Sequence, residues 1–143
     1  LDTCGYAEWE HYREVLDYVD LVLYDLKHMD TVQSQLLTGV PNELILENAR
    51  KMAEEGVALQ IRIPVIPGCN DSEENIRATG AFCAGLGSSV TLVQILPYHR
   101  LGSAKYERLG KKYQLEGLKP PDQKQMKKCR EILESYGLKV VTG

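Results

Sequence analysis

The chain is short of several things, and each shortage removes a class of function. Its four cysteines, Cys4, Cys69, Cys83 and Cys129, form no C-x-x-C pair and no zinc-type spacing. With no basic-then-apolar leader at the start, they read as reduced thiols of a cytoplasmic protein. No apolar stretch is long enough to span a bilayer. Positive charge is not in excess: 17 Lys and Arg stand against 20 Asp and Glu, mixed along the chain, for a net charge of −3. That leaves no basic footprint for nucleic acid and no polybasic membrane anchor. Low-complexity segments and short-period repeats are also missing. The start on Leu1-Asp2-Thr3-Cys4-Gly5, without Met, reads as a piece of a longer protein.

What is present suits one globular domain or part of one: 143 residues, 43% apolar and 26% charged. Leu1 to Tyr6 reads as the exit of a strand. Trp9, Tyr12, Val15, Leu16 and Val19 recur at helical spacing and predict a helix over Glu8 to Tyr18. Leu21-Val22-Leu23-Tyr24 is a short apolar run, as expected for a strand buried on both faces. Asp30 or Thr31 caps a short helix to Leu37, and a second helix runs from Pro41-Asn42 to about Glu55, stopped by Gly56. Val57 to Val65 is the next strand, with Pro64 and Pro67 marking its end. Asp71 or Ser72 caps a helix to Gly85, and Val90 to Tyr98 is a further strand. Arg100 to Pro121 reads as a long loop. Gln123 to Tyr136 is the last helix and Leu138 to Val141 the last strand. Strands alternating with helices predict parallel βαβ units, too few to close an eight-stranded barrel.

The chemistry-bearing residues gather at strand ends. Asp25 and Lys27 follow the apolar run two apart, so they share a side if the chain stays extended. Arg62 lies near the end of the next strand, His99 just past the third, and Asp2 and Thr3 at the truncated first. C-terminal strand ends of a parallel sheet form one rim, where α/β proteins hold ligands. Carboxylate, ammonium, guanidinium, imidazole and hydroxyl on one rim suit a small zwitterion or acid–base chemistry. Each residue also has a plainer reading: Asp25 and Lys27 a surface ion pair, Arg62 a salt bridge to a neighbour, His99 a solvated side chain, Asp2 a helix cap.

Five ordered segments carry a resemblance: Asp2-Thr3-Cys4-Gly5, Asp25-Leu26-Lys27-His28-Met29, Ile61 to Gly68, Leu96 to Gly102 with Lys105-Tyr106, and Gly117 to Pro121. Together they resemble the C-terminal half of the glycyl-radical enzyme activating enzymes, a branch of the radical S-adenosylmethionine superfamily typified by the pyruvate formate-lyase activating enzyme. The resemblance covers residues 1–143. It implies an α/β fold, half of a partial (β/α)6 TIM-like barrel built from parallel strands four to six. It implies S-adenosyl-L-methionine as cofactor, held by Asp25, Leu26, Lys27, Arg62 and His99, with a monovalent cation at Asp2, Thr3 and Asp25. The partners it implies are a glycyl-radical enzyme such as a pyruvate formate-lyase and an electron donor such as flavodoxin. The family's C-x-x-x-C-x-x-C motif for a [4Fe–4S] cluster and its Gly-Gly-Glu segment do not occur in this chain. The expectation is therefore a cluster only in the full-length protein, an inactive fragment, and an open sheet edge through which the fragment self-associates or which the Arg100 to Pro121 segment covers. The alternatives are a radical S-adenosylmethionine enzyme with another substrate, and a non-catalytic binding or complementation module.

Overall fold

The computed structural model describes residues 1–99 and 117–143. Five strands, β1 (Asp2–Thr3), β2 (Val22–Asp25), β3 (Leu59–Val65), β4 (Val90–Pro97) and β5 (Val140–Thr142), form one sheet in the order β1-β2-β3-β4-β5. Every pairing is parallel. The crossovers contain α1 (Trp9–Leu16), α2 (Thr31–Thr38), α3 (Glu43–Glu54), α4 (Glu73–Gly85) and α5 (Gln123–Glu134). A parallel sheet in sequence order never reverses direction, so crossovers of one hand put all helices on one face. That is the wall of a barrel rather than a doubly wound sheet.

Alternation along β3 shows the two faces. Leu59, Ile61, Ile63 and Val65 are sealed from solvent, while Gln60, Arg62 and Pro64 between them are half-buried. The sealed face meets Tyr12 of α1, Ala49 and Met52 of α3, Ile76 and Cys83 of α4, and Met126, Cys129, Ile132 and Leu133 of α5. Each large apolar side chain fully buried there contributes roughly 1.5–3 kcal/mol.

The expectation that β2 is buried on both faces is corrected. Val22 and Tyr24 are buried, but Leu23 and Asp25 are only half so, because among the described residues no helix covers the second face. Pro64 does not end β3: it lies inside it, in register with Leu96. The Arg62 carbonyl points to the β2 side, where it accepts from Leu26 N–H (2.9 Å). Pro64, two residues on, faces the same side beyond the end of β2, so its missing N–H costs no ladder bond. Element ends shift by one to three residues, as helix termini do. The expected loop from Arg100 lies outside the described residues up to position 116, with the matching segments Arg100-Leu101-Gly102 and Lys105-Tyr106.

Capping follows the local sequence. The Asp30 side chain accepts from Gln33 N–H, Ser72 from Asn75 N–H, and Asp122 forms a reciprocal capping box with Gln125. Tight packing at the exit of β1 rests on Gly5. Its φ is +78°, and a Cβ there would lie 1.8 Å from Tyr24 Oη. The Tyr24 ring is itself fully buried and its hydroxyl donates to the Ile45 carbonyl. Gly5→Ala is therefore expected to destabilise the chain by about 2–4 kcal/mol, from strain and displaced packing together. Urea denaturation followed by circular dichroism checks this; a midpoint within error of the parent would refute it.

Candidate functional site

The uncovered face of the sheet carries the charge. Asp25 and Arg62 are register partners, and Arg62 Nε donates to Asp25 Oδ1 at 2.8 Å. The other side of the guanidinium forks onto Asp2, with Nη1 donating to Oδ2 at 2.8 Å and Nη2 donating to Oδ1. Arg62 thus bridges two carboxylates from the ends of two strands, the bidentate geometry that a guanidinium allows and an ammonium does not. The fork holds the Asp2 carboxyl below its ordinary range, and Asp2 in turn raises the Arg62 pKa further. Asp2 is well exposed, so this pair adds little to stability and chiefly fixes position.

Lys27 continues the alternation past β2. Leu26 between the two charged residues is buried and Lys27 is exposed, with Nζ 3.8 Å from Asp25 Oδ2. The expected shared side is what the structure has, and Lys27 is held loosely enough to meet a ligand. Two carboxylates and two cations therefore stand together with no net charge.

The remaining predicted residues lie apart from this cluster. Thr3 faces the helices: its hydroxyl pairs with the Tyr12 hydroxyl at 2.9 Å and accepts from Gly5 N–H at 3.0 Å. His99 stands exposed beyond β4 on the same rim, and its side chain makes no hydrogen bond or ion pair with another described residue. Asp2 caps no helix; Glu8 occupies the cap position of α1.

Three asparagines shape the rim, and the sequence reading missed them. Asn70 Nδ2 donates to the carbonyls of Lys27 (2.9 Å) and Pro64 (2.6 Å), while its Oδ1 accepts from Ile66 N–H (2.8 Å). Asn42 Nδ2 donates to the carbonyls of His28 and Met29. Asn75 Oδ1 accepts from Met29 N–H, and its Nδ2 donates to the Asn70 carbonyl. All three are buried. They clamp the backbone of Lys27 to Met29 just past β2. The only local signal was asparagine placed near a helix start, where it ordinarily reads as a cap.

A [4Fe–4S] cluster does not fit the thiols present. Cys83 is buried in the helix layer, where desolvation pushes its pKa up to about 12, and Cys129 is buried and raised for the same reason. Cys69 is also raised, first by burial and then by Asp71. Among the described residues no group of three or more Cys, His, Asp or Glu side chains is placed to hold a metal ion.

Comparison with known proteins identifies the family. No family model matches the chain. A trans-4-hydroxy-L-proline dehydratase activating enzyme of Clostridioides difficile is 35% identical over 143 residues, all of this chain and 47% of that protein. The crystal structure of a domain of the pyruvate-formate lyase-activating enzyme from Bacteroides vulgatus superposes with a TM-score of 0.82 at 36% identity, over 99% of this chain and 78% of that one. The chain belongs to the glycyl-radical enzyme activating enzymes. It spans about half the length of the curated relatives it matches, and the match falls on their C-terminal half. A radical SAM methyltransferase from Sphaerobacter thermophilus, 15% identical with a TM-score of 0.71 over 99% of this chain and 39% of that one, shares the fold alone. The half-barrel of parallel strands expected for the activating enzymes is the architecture found. Among the described residues no helix is long and apolar enough to cross a membrane.

In this activating-enzyme domain the asparagine clamp is expected to matter more than the ion pairs. Asn70→Ala leaves the Lys27 and Pro64 carbonyls and Ile66 N–H without their partner, at roughly 1–3 kcal/mol for each group that stays dry. We expect a loss of about 3 kcal/mol or more in urea denaturation, together with faster amide exchange at Leu26 to Met29. Protection unchanged at those amides would show that the clamp does not hold the rim.

Proposed function

We propose that this chain is the C-terminal part of an activating oxidoreductase that reductively cleaves S-adenosyl-L-methionine and generates a glycyl radical on a partner enzyme such as a pyruvate formate-lyase. The observation that carries the reading is the neutral, four-charge cluster of Asp2, Asp25, Lys27 and Arg62 on the uncovered sheet face. The methionyl end of the cofactor is a zwitterion. Two carboxylates and two cations match it without leaving net charge in a poorly hydrated site.

Each residue has a task that follows from where it sits. Lys27 pairs with the ligand carboxylate, since only a 3.8 Å contact with Asp25 restrains it. Asp25 meets the ligand's positive end. Leu26 offers no side chain to the site; it is buried, and its N–H ties β2 to the Arg62 carbonyl. His99 closes the rim from β4. A monovalent cation, expected at Asp2, Thr3 and Asp25, belongs to the same proposal at Asp2 and Asp25; the Thr3 hydroxyl turns to Tyr12 on the other face, so Thr3 does not reach it through its side chain. For a cation to take the carboxylates of Asp2 and Asp25, Arg62 has to leave Asp2, which frees its guanidinium for the ligand carboxylate. The chemistry the bound cofactor supplies is a 5′-deoxyadenosyl radical for hydrogen-atom abstraction from a glycine of the partner. The [4Fe–4S] cluster finds no fitting ligands here, so no step in this chain is routed through it. The proposal assigns the cluster, and contact with an electron donor such as flavodoxin, to the full-length cytoplasmic protein, and expects the fragment alone to be inactive.

The test uses the full-length protein with its cluster reconstituted. Asp25→Ala and Lys27→Ala are each expected to weaken S-adenosylmethionine binding by about tenfold or more, the usual cost of stranding a paired charge. Isothermal titration reads this directly, and unchanged affinity in both variants would remove the site assignment.

The isolated chain carries a second expectation. Among the described residues β1 pairs on one side only, and Leu1 at its start and Leu21, whose carbonyl accepts from the Leu1 amino group, are exposed at that end of the sheet. An open strand edge flanked by apolar side chains pairs with another copy. We expect light scattering to show dimers or larger species at tens of micromolar, reverting toward monomer in Leu21→Lys; a monomeric parent would count against it.

A further inference from the structure

Beside the charged cluster lies a cavity of about 290 Å³ that the reading above leaves unused. Asp25 and Lys27 form one wall, Cys4 and Tyr6 from the exit of β1 another, and Val40, Ile45 and Leu46 its apolar back. Polar groups in the α2–α3 wall are already engaged. Ser34 Oγ donates to the Val40 carbonyl, Thr38 Oγ1 to the Ser34 carbonyl, and Asn42 Nδ2 to the His28 and Met29 carbonyls. A polar occupant would find few free partners there, and an apolar one loses nothing.

The helix that roofs this cavity is unusual on its outer side. α2 has eight residues, and three large apolar ones are exposed: Val32 at 60%, Leu36 at 68% and Leu37 at 40%. Tyr6, at the cavity wall, is 44% exposed. A short solvated helix gains nothing from an apolar crest, and such a patch at the rim of a cavity marks a surface that another molecule covers.

The geometry points to a seat for an extended segment of the partner polypeptide: one apolar side chain fills the cavity, the neighbouring backbone crosses the crest of α2, and the reacting residue comes to lie over Asp25 and Lys27. This inference rests on the proposed activating function for the identity of the partner. Two features favour a polypeptide over a small molecule. The cavity has room for one large side chain, and the crest lies outside it, so only a chain covers both. Continuity with the charged cluster favours a segment next to the reacting glycine, because Asp25 and Lys27 belong to the cavity wall and to the cofactor site alike.

The test measures binding of fluorescein-labelled hexapeptides to the full-length protein by fluorescence polarisation. Each peptide has a central glycine flanked by Ala, Asp, Leu or Phe. The Leu and Phe peptides are expected to bind about tenfold tighter than the Ala and Asp peptides, the scale of burying one apolar side chain. Thr38→Trp, which fills the cavity from an exposed helix end, should abolish that preference. Leu36→Asp, fully on the surface, should weaken all four peptides without altering the fold. Equal affinities in the parent, or a preference that survives Thr38→Trp, would overturn the inference. So would amide exchange showing α2 already covered before peptide is added, by another part of the protein or by a second copy. S-adenosylmethionine binding measured on the same proteins separates the two ideas: peptide preference without cofactor binding supports the seat and refutes the proposed function.

Discussion

Where a parallel strand stops, its last backbone groups lose their ladder partners and still need hydrogen bonds. Here Asn70 and Asn42 supply donors to the carbonyls of Lys27, His28, Met29 and Pro64, and Asn75 accepts from Met29 N–H. Asn75 also donates to the carbonyl of Asn70, so the two form one connected unit. Everything on the rim hangs from this. The direction of Lys27 depends on the path of the backbone after β2, and that path is pinned by side chains from the loop before α4, from α4 itself and from the start of α3. Buried polar networks of this kind are costly when broken and rigid when complete.

The sheet adds the second constraint. Among the described residues helices cover only one face, so β2 and β3 direct Val22, Tyr24, Ile61 and Ile63 into the core and leave Asp25 and Arg62 on the other side. The charged residues sit on the uncovered face because the pleat alternates, and they face one another because β2 and β3 are in register at Asp25 and Arg62. A slip of one residue would bury the aspartate and expose the tyrosine. The same alternation lets Pro64 sit in an inner strand, since its ring nitrogen faces the space beyond the end of β2.

Much of this was legible in the residues. The apolar run ending in Asp25 and Lys27 read as a strand with its charges on one side, and it is one. The caps at Asp30, Ser72 and Asp122 were legible because capping is local chemistry. The ordered segments from Asp2 to Pro121 were legible as a family likeness, which the superposition on a related domain bears out. Burial of β2 on both faces was misread because an apolar run of four residues looks the same whether one layer or two cover it. Asn42, Asn70 and Asn75 were not legible as a group, because they reach the backbone after β2 across 13 to 46 residues of chain and no spacing rule joins them. The cavity beneath α2 was invisible for a similar reason: Cys4, Lys27 and Val40 share it only after folding.

The amino-acid sequence by itself determined which segments become strands and helices, which face of each is apolar, and that the strand ends carry the charges, because periodicity, capping and turn chemistry act within a few residues. Only the tertiary structure decided that Arg62 reaches both Asp2 and Asp25, that the Thr3 hydroxyl turns toward Tyr12, and that three asparagines hold the loop after β2. Those outcomes depend on strand register and on which elements cover which face. They are set by packing across the whole sheet, and no local run of residues contains them.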